Sequence, residues 1–133
     1  MKTILGLVFF TGLMTMSVAA QKDYCFENDG LKLRQIISYT LTGSKIEGTM
    51  ESGGYDENTS METFDFTGTK RGNVLSIKFD DKPPYELPPH VSKNRITWTL
   101  GARTLKVPMF GKNYNSGKYS TYSADFSKCP KDQ

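Results

Sequence analysis

Residues 31–50 read LKLRQIISYTLTGSKIEGTM, and this stretch decides the fold class. From Leu31 to Leu41 the odd positions are Leu31, Leu33, Gln35, Ile37, Tyr39 and Leu41, and the even positions are Lys32, Arg34, Ile36, Ser38 and Thr40. A period of two places alternate side chains on opposite faces of a strand, so one face is apolar and the other wet. Thr42-Gly43-Ser44 then interrupts the run, and Ile46, Gly48 and Met50 resume the alternation against Glu47, Thr49 and Glu51. Two such strands around a short glycine-bearing loop predict a β-hairpin.

The same pattern continues outward. Phe64 and Phe66 alternate with Thr63, Asp65 and Thr67, and Leu75, Ile77 and Phe79 alternate with Val74, Ser76 and Lys78. Ile96, Trp98 and Leu100 alternate with Thr97 and Thr99, and Leu105, Val107 and Met109 with Lys106 and Pro108. Tyr122, Ala124 and Phe126 alternate with Ser123, Asp125 and Ser127. Residues 69–73 (TKRGN) and 101–103 (GAR) supply further hairpin loops. No segment after residue 20 shows a period of 3.6. The expectation is an all-β domain: an up-and-down antiparallel meander barrel of seven or eight strands, with a β-sandwich as the alternative. Two longer loops stand out. Residues 52–59 (SGGYDENT) read as flexible and acidic, and residues 80–90 (DDKPPYELPPH) as semi-rigid with polyproline character.

The N-terminus reads as a secretory signal peptide. Lys2 carries one positive charge, an apolar run extends from Ile4 to Val18, and Ala19 and Ala20 follow. Cleavage after Ala20 gives a domain from Gln21 to Gln133. The apolar run is short for a membrane span, and no second one follows, so no stable span is expected. Cys25 follows Lys22-Asp23-Tyr24 rather than a cut site, which argues against a lipid anchor. The expected location is the periplasm or the exterior. There the only two cysteines, Cys25 and Cys129, can pair. Such a bond would tie the two terminal strands and favours barrel over sandwich.

Composition excludes several function classes. Loss of Lys2 leaves 16 basic and 14 acidic residues of the 17 and 14 in the whole chain, a net charge of +2. Neither this balance nor any lysine- or arginine-rich run suggests nucleic acid. His90 is the only histidine, and it sits in a loop without a nameable partner. No nucleophile elbow or zinc-binding motif occurs. Asp56/Glu57, Asp80/Asp81 and Glu62/Asp65 are paired carboxylates, but the spacing of Asp56, Glu57 and Asn58 does not match a calcium loop. With both cysteines assigned to structure, no enzyme, cofactor or metal is expected.

Binding has more support. Residues 110–122 (FGKNYNSGKYSTY) interleave aromatic, small, amide and basic side chains between the last two predicted strands. Tyrosine supplies contact area at low entropy cost, and Asn, Ser and Gly supply adaptable hydrogen bonds. The candidate binding residues are Phe110, Lys112, Tyr114, Ser116, Lys118 and Tyr119. Tyr85 joins them if the proline-rich loop shares the same barrel end.

The strand spacing and glycine-bearing hairpins over Leu31–Phe126 resemble a lipocalin-like meander barrel. That likeness implies a non-enzymatic, monomeric binder of a small apolar ligand or of a protein partner. A hollow interior lined by Phe64, Phe66, Trp98 and Phe126 would suit the ligand. Ser116-Gly117-Lys118-Tyr119, with one residue between Gly and Tyr, is also similar to the Ser-Gly-x-x-Tyr-like loop of periplasmic inhibitors of C-type lysozyme, which are small exported β-barrels. The second likeness implies an inhibitor of a secreted hydrolase, with Ser116 and Lys118 meeting the catalytic acids of the enzyme.

Overall fold

The computed structural model describes residues 20–29, 33–54 and 60–130. Eight strands follow one another in a closed antiparallel barrel, each paired with its neighbour in sequence. They are β1 (Gln21–Asp29), β2 (Arg34–Thr42), β3 (Lys45–Gly53), β4 (Glu62–Arg71), β5 (Val74–Phe79), β6 (Ile96–Leu100), β7 (Thr104–Lys112) and β8 (Tyr119–Lys128). Pairing of β8 with β1 closes the barrel, so the meander is one continuous sheet rather than a sandwich. Residues 1–19, where the signal peptide is expected, and the acidic stretch 55–59, including Asp56, Glu57 and Asn58, lie outside the described residues.

The alternation seen in the sequence becomes inside and outside. In β5, Leu75, Ile77 and Phe79 are buried, while Val74, Ser76 and Lys78 are exposed. Ile37, Tyr39, Ile46, Met50, Phe66, Ile96, Trp98, Leu105, Val107 and Phe126 fill the same interior. Each large apolar side chain so buried favours folding by about 1.5–3 kcal/mol before chain entropy is subtracted. Phe66 meets Trp98 edge-on with ring centroids 5.0 Å apart, and Phe79 lies 5.9 Å from Phe66 and 6.4 Å from Trp98. Aromatic rings in this geometry occupy the barrel interior as a packed core. Of the lining expected for a cavity, Phe66, Trp98 and Phe126 are core residues, and Phe64 is partly buried against them.

Two interior glycines let the sheet curl. A Cβ on Gly48 would collide with the Ser38 carbonyl oxygen and lie 2.6 Å from Tyr39 Cβ and 2.8 Å from Phe66 Cζ. A Cβ on Gly68 would collide with the Ser76 carbonyl oxygen. At both sites the neighbouring strand takes the space of the absent side chain.

Two departures from the sequence reading have local causes. β1 is a full strand, paired with β2 from Gln21↔Thr42 to Asp29↔Arg34. Lys22, Asp23, Glu27 and Asp29 obscure its alternation, and Phe26 is its one fully buried residue. β2 begins at Arg34, with Leu33 exposed before it; Leu31 and Lys32 lie outside the described residues.

The seams beside the last hairpin are short. β6 pairs β7 only at Thr99↔Lys106 and Leu100↔Leu105. Pro108, a few residues along, has no N–H for a ladder bond. β1 pairs β8 only at Phe26↔Lys128 and Glu27↔Ser127. Beyond that pair the Cys129 N–H donates to the Cys25 carbonyl at 3.0 Å, and the Cys25–Cys129 disulfide adds a covalent link. By contrast β7 and β8 pair without a break from Thr104↔Ser127 to Lys112↔Tyr119. They form a long ribbon whose ladder pairs to the flanking strands lie at one end, while Val107 and Met109 enter the core along its length.

Candidate functional site: the β7–β8 hairpin and the proline-rich loop

The free end of that ribbon carries most of the candidate binding residues. Its tip, residues 113–118, satisfies its own backbone. The Asn113 N–H donates to the Lys118 carbonyl at 2.8 Å, and the Gly117 N–H donates to the Asn113 carbonyl at 2.7 Å. Asn113 Oδ1 accepts from the N–H of Asn115 at 2.9 Å and of Ser116 at 3.2 Å. An amide side chain that bonds the backbone two or three residues on is the usual way Asn fixes a turn. The Lys118 N–H donates to Ser116 Oγ at 3.3 Å. Gly117 has φ 73°, the left-handed region that favours glycine. The turn is thus specified by Asn113 and Gly117.

The proline-rich loop crosses the same barrel end. Tyr85 packs on Phe79 of the core at 6.4 Å and on Phe110 of β7 at 5.2 Å, both edge-on. Leu87 packs against the core and Pro88 is buried, so the loop caps the interior here. Tyr85 and the hairpin thus share a barrel end, which is the condition under which Tyr85 joins the candidate residues.

Glu86 links the two elements. The Tyr114 hydroxyl donates to Glu86 Oε1 at 2.6 Å, and Lys112 Nζ lies 3.8 Å from Glu86 Oε2. The same ammonium stands over the Tyr114 ring at 5.5 Å and the Tyr119 ring at 5.4 Å. A cation over aromatic faces is attracted by their quadrupoles. The hydrogen bond to Glu86, and then its negative charge, raise the Tyr114 hydroxyl above its ordinary pKa.

The seven residues singled out from sequence therefore divide into two groups. Tyr114, Ser116 and Lys118 point outward, with Tyr114 75% exposed. Among the described residues Lys118 takes part in no salt bridge. Phe110, Lys112, Tyr119 and Tyr85 are half-buried and support the tip from below. The Tyr85 hydroxyl is buried without a hydrogen-bond partner among the described residues, and burial raises its pKa strongly. Sequence reasoning passed over Glu86, although it is the one acid between Lys82 and His90. A lone acid in an aromatic, proline-rich stretch was the available signal.

The other candidates stay apart from this end. His90 is exposed in a shallow depression with Val91, Ser92, Asn94 and Arg95, a lining without a carboxylate. Glu62, Asp65, Asp80 and Asp81 border a surface groove of about 350 Å³, shared with Lys82. Among the described residues no group of three or more potential ligands could hold a metal ion. A second outer groove, about 490 Å³, runs over Gly68 between Lys45, Glu47, Thr67, Thr69, Ser76 and Lys78. No described helix is long and apolar enough to cross a membrane. Searches of protein-family models, curated proteins and solved structures gave no match to this chain.

Proposed function

We propose that this chain is an exported, non-enzymatic binding protein that receives a protein partner on the β7–β8 hairpin and the adjoining proline-rich loop. One observation carries the reading: an internally bonded turn displays Tyr114, Ser116 and Lys118 at the end of a ribbon anchored to a packed barrel. An interface with its loop already ordered avoids part of the entropy cost of association. An exposed tyrosine beside an unpaired lysine suits the centre of a small hot spot. The packed aromatic interior favours a partner surface over an apolar ligand within the barrel. The Cys25–Cys129 bond is consistent with an oxidising, exported compartment.

The test is site-specific photo-crosslinking in the native host. A crosslinker at position 118 should trap one discrete protein, and the same group at position 78, on the outer face of β5, should not. Equal labelling from both positions, or none from 118, would sink the reading.

The second reading is inhibition of a secreted hydrolase, with a C-type lysozyme as the probe. The outward placement of Ser116 together with Lys118 favours it, since a lysine and a hydroxyl suit a cleft that carries carboxylates. The mature chain should slow lysis of bacterial cell walls, and Lys118→Glu should weaken that effect by about 100-fold or more. Undiminished lysis at micromolar inhibitor rules this reading out.

A further inference from the structure

We propose that Glu86 is a positioning residue for the hairpin: a latch, carried on the proline-rich loop, whose ionised carboxylate sets how the tip is presented. The proposal rests on the reading of the hairpin as the binding surface, because only there does tip presentation have a consequence.

The geometry is that of a shared clasp. One carboxylate reaches the turn and the end of the strand that leads into it. Oε1 takes the hydroxyl of Tyr114, within the turn, and Oε2 faces Lys112, the last residue of β7. Lys112 in turn stands over Tyr119, the first residue of β8, as well as over Tyr114. The ammonium thus sits at the neck of the turn and touches both strands and the loop between them. Any one of these exposed contacts alone is worth little. They act together because four groups share four contacts, and because the chain bearing Glu86 is itself fixed. Its neighbour Tyr85 is wedged between Phe79 and Phe110.

The charge on Glu86 is what joins the clasp. Neutralising it by substitution removes the attraction to Lys112 and turns a charge-assisted hydrogen bond from Tyr114 into a neutral one. Lys118 and Ser116 then lose their fixed placement while the barrel remains closed.

Amide hydrogen exchange on the free protein at pH 7 tests this. The reporters are the Asn113 and Gly117 amides, both bonded across the turn. Glu86→Ala should lower their protection about three- to tenfold. Glu86→Gln, which keeps an acceptor for Tyr114 but no charge, should lower it in the same sense. Core amides such as Trp98 should stay protected in both variants. Unchanged tip protection in Glu86→Ala, or wild-type protection in Glu86→Gln, overturns the latch. An equal loss of protection across the whole barrel overturns it too, since Glu86 would then support the fold rather than the tip. The readout needs no partner, so failure to find one removes the binding reading without touching this result. Intact binding with unchanged exchange removes the latch alone.

Discussion

Cys25 and Cys129, 104 positions apart in sequence, stand with their Cα atoms 5.4 Å apart and bridge one of the barrel's two shortest ladders. Only Phe26↔Lys128 and Glu27↔Ser127 pair across that seam. The covalent bond therefore does work that backbone hydrogen bonds do at the longer seams. A cross-link of this span restricts the unfolded chain by about 4–5 kcal/mol in the loop-entropy treatment. The double substitution Cys25→Ser, Cys129→Ser should lower unfolding free energy by about 3–5 kcal/mol in urea. A loss below about 1 kcal/mol would show that the two ladder pairs hold the seam unaided.

Much of the architecture was readable from the sequence, and the reason is visible in β5. A strand that buries every second residue and exposes the rest writes its orientation directly into composition, as Leu75, Ile77 and Phe79 do against Val74, Ser76 and Lys78. β1 was not readable in that way. It leans on β2 along its length but contributes one fully buried side chain, so its residues are chosen for solvent and pairing rather than for the core. The site divides likewise. Tyr114, Ser116 and Lys118 could be selected by residue type in an evident loop. Glu86 could not, because its role arises only when the chain brings the proline-rich loop beside the hairpin, 28 residues away in sequence from Tyr114.

Glycines in this barrel answer to two different demands, and substitution separates them. At Gly48 the demand is space, since a Cβ would run into Ser38, Tyr39 and Phe66. Gly48→Ala should cost about 1–3 kcal/mol through forced displacement of packed groups. Gly111 is a matched control in another strand, where the nearest atom to a Cβ is Ser120 Oγ at 3.5 Å. Gly111→Ala should change stability by less than about 0.5 kcal/mol. Equal losses in urea titrations of the two variants would show that the close approach at Gly48 is not what matters.

At Gly72 the demand is backbone conformation. Its φ is 63° and nothing lies within 4 Å of a Cβ placed there. Here Ala should cost about 1 kcal/mol although it touches nothing, because an L-residue resists the left-handed region. Gly72→Asn should cost less, since Asn adopts that region more readily. Thermal unfolding of the pair would check the order. If Asn proves no better than Ala, the penalty does not come from φ.

Two buried tyrosines make the barrel sensitive to alkali. Burial, with a smaller contribution from the Tyr24 side chain, pushes the Tyr39 hydroxyl up to about 12, and burial raises that of Tyr85 further. Neither hydroxyl has a hydrogen-bond partner among the described residues. In the unfolded chain tyrosine ionises near pH 10. Above that pH the unfolded state has released protons that the native state still holds, so rising pH draws the equilibrium toward unfolding. The contribution of Tyr39 is intact below pH 10 and is lost as pH rises toward about 12. Each group can add a slope of up to about 1.4 kcal/mol per pH unit in that window. Tyr39→Phe and Tyr85→Phe should each flatten the alkaline limb of a stability profile measured in urea between pH 9 and 12. At pH 7 both should be close to neutral, because each removes a buried hydroxyl that has no partner. A clear loss at pH 7 would show that the hydroxyl has a partner after all, and a bound water is the first candidate to seek at that site.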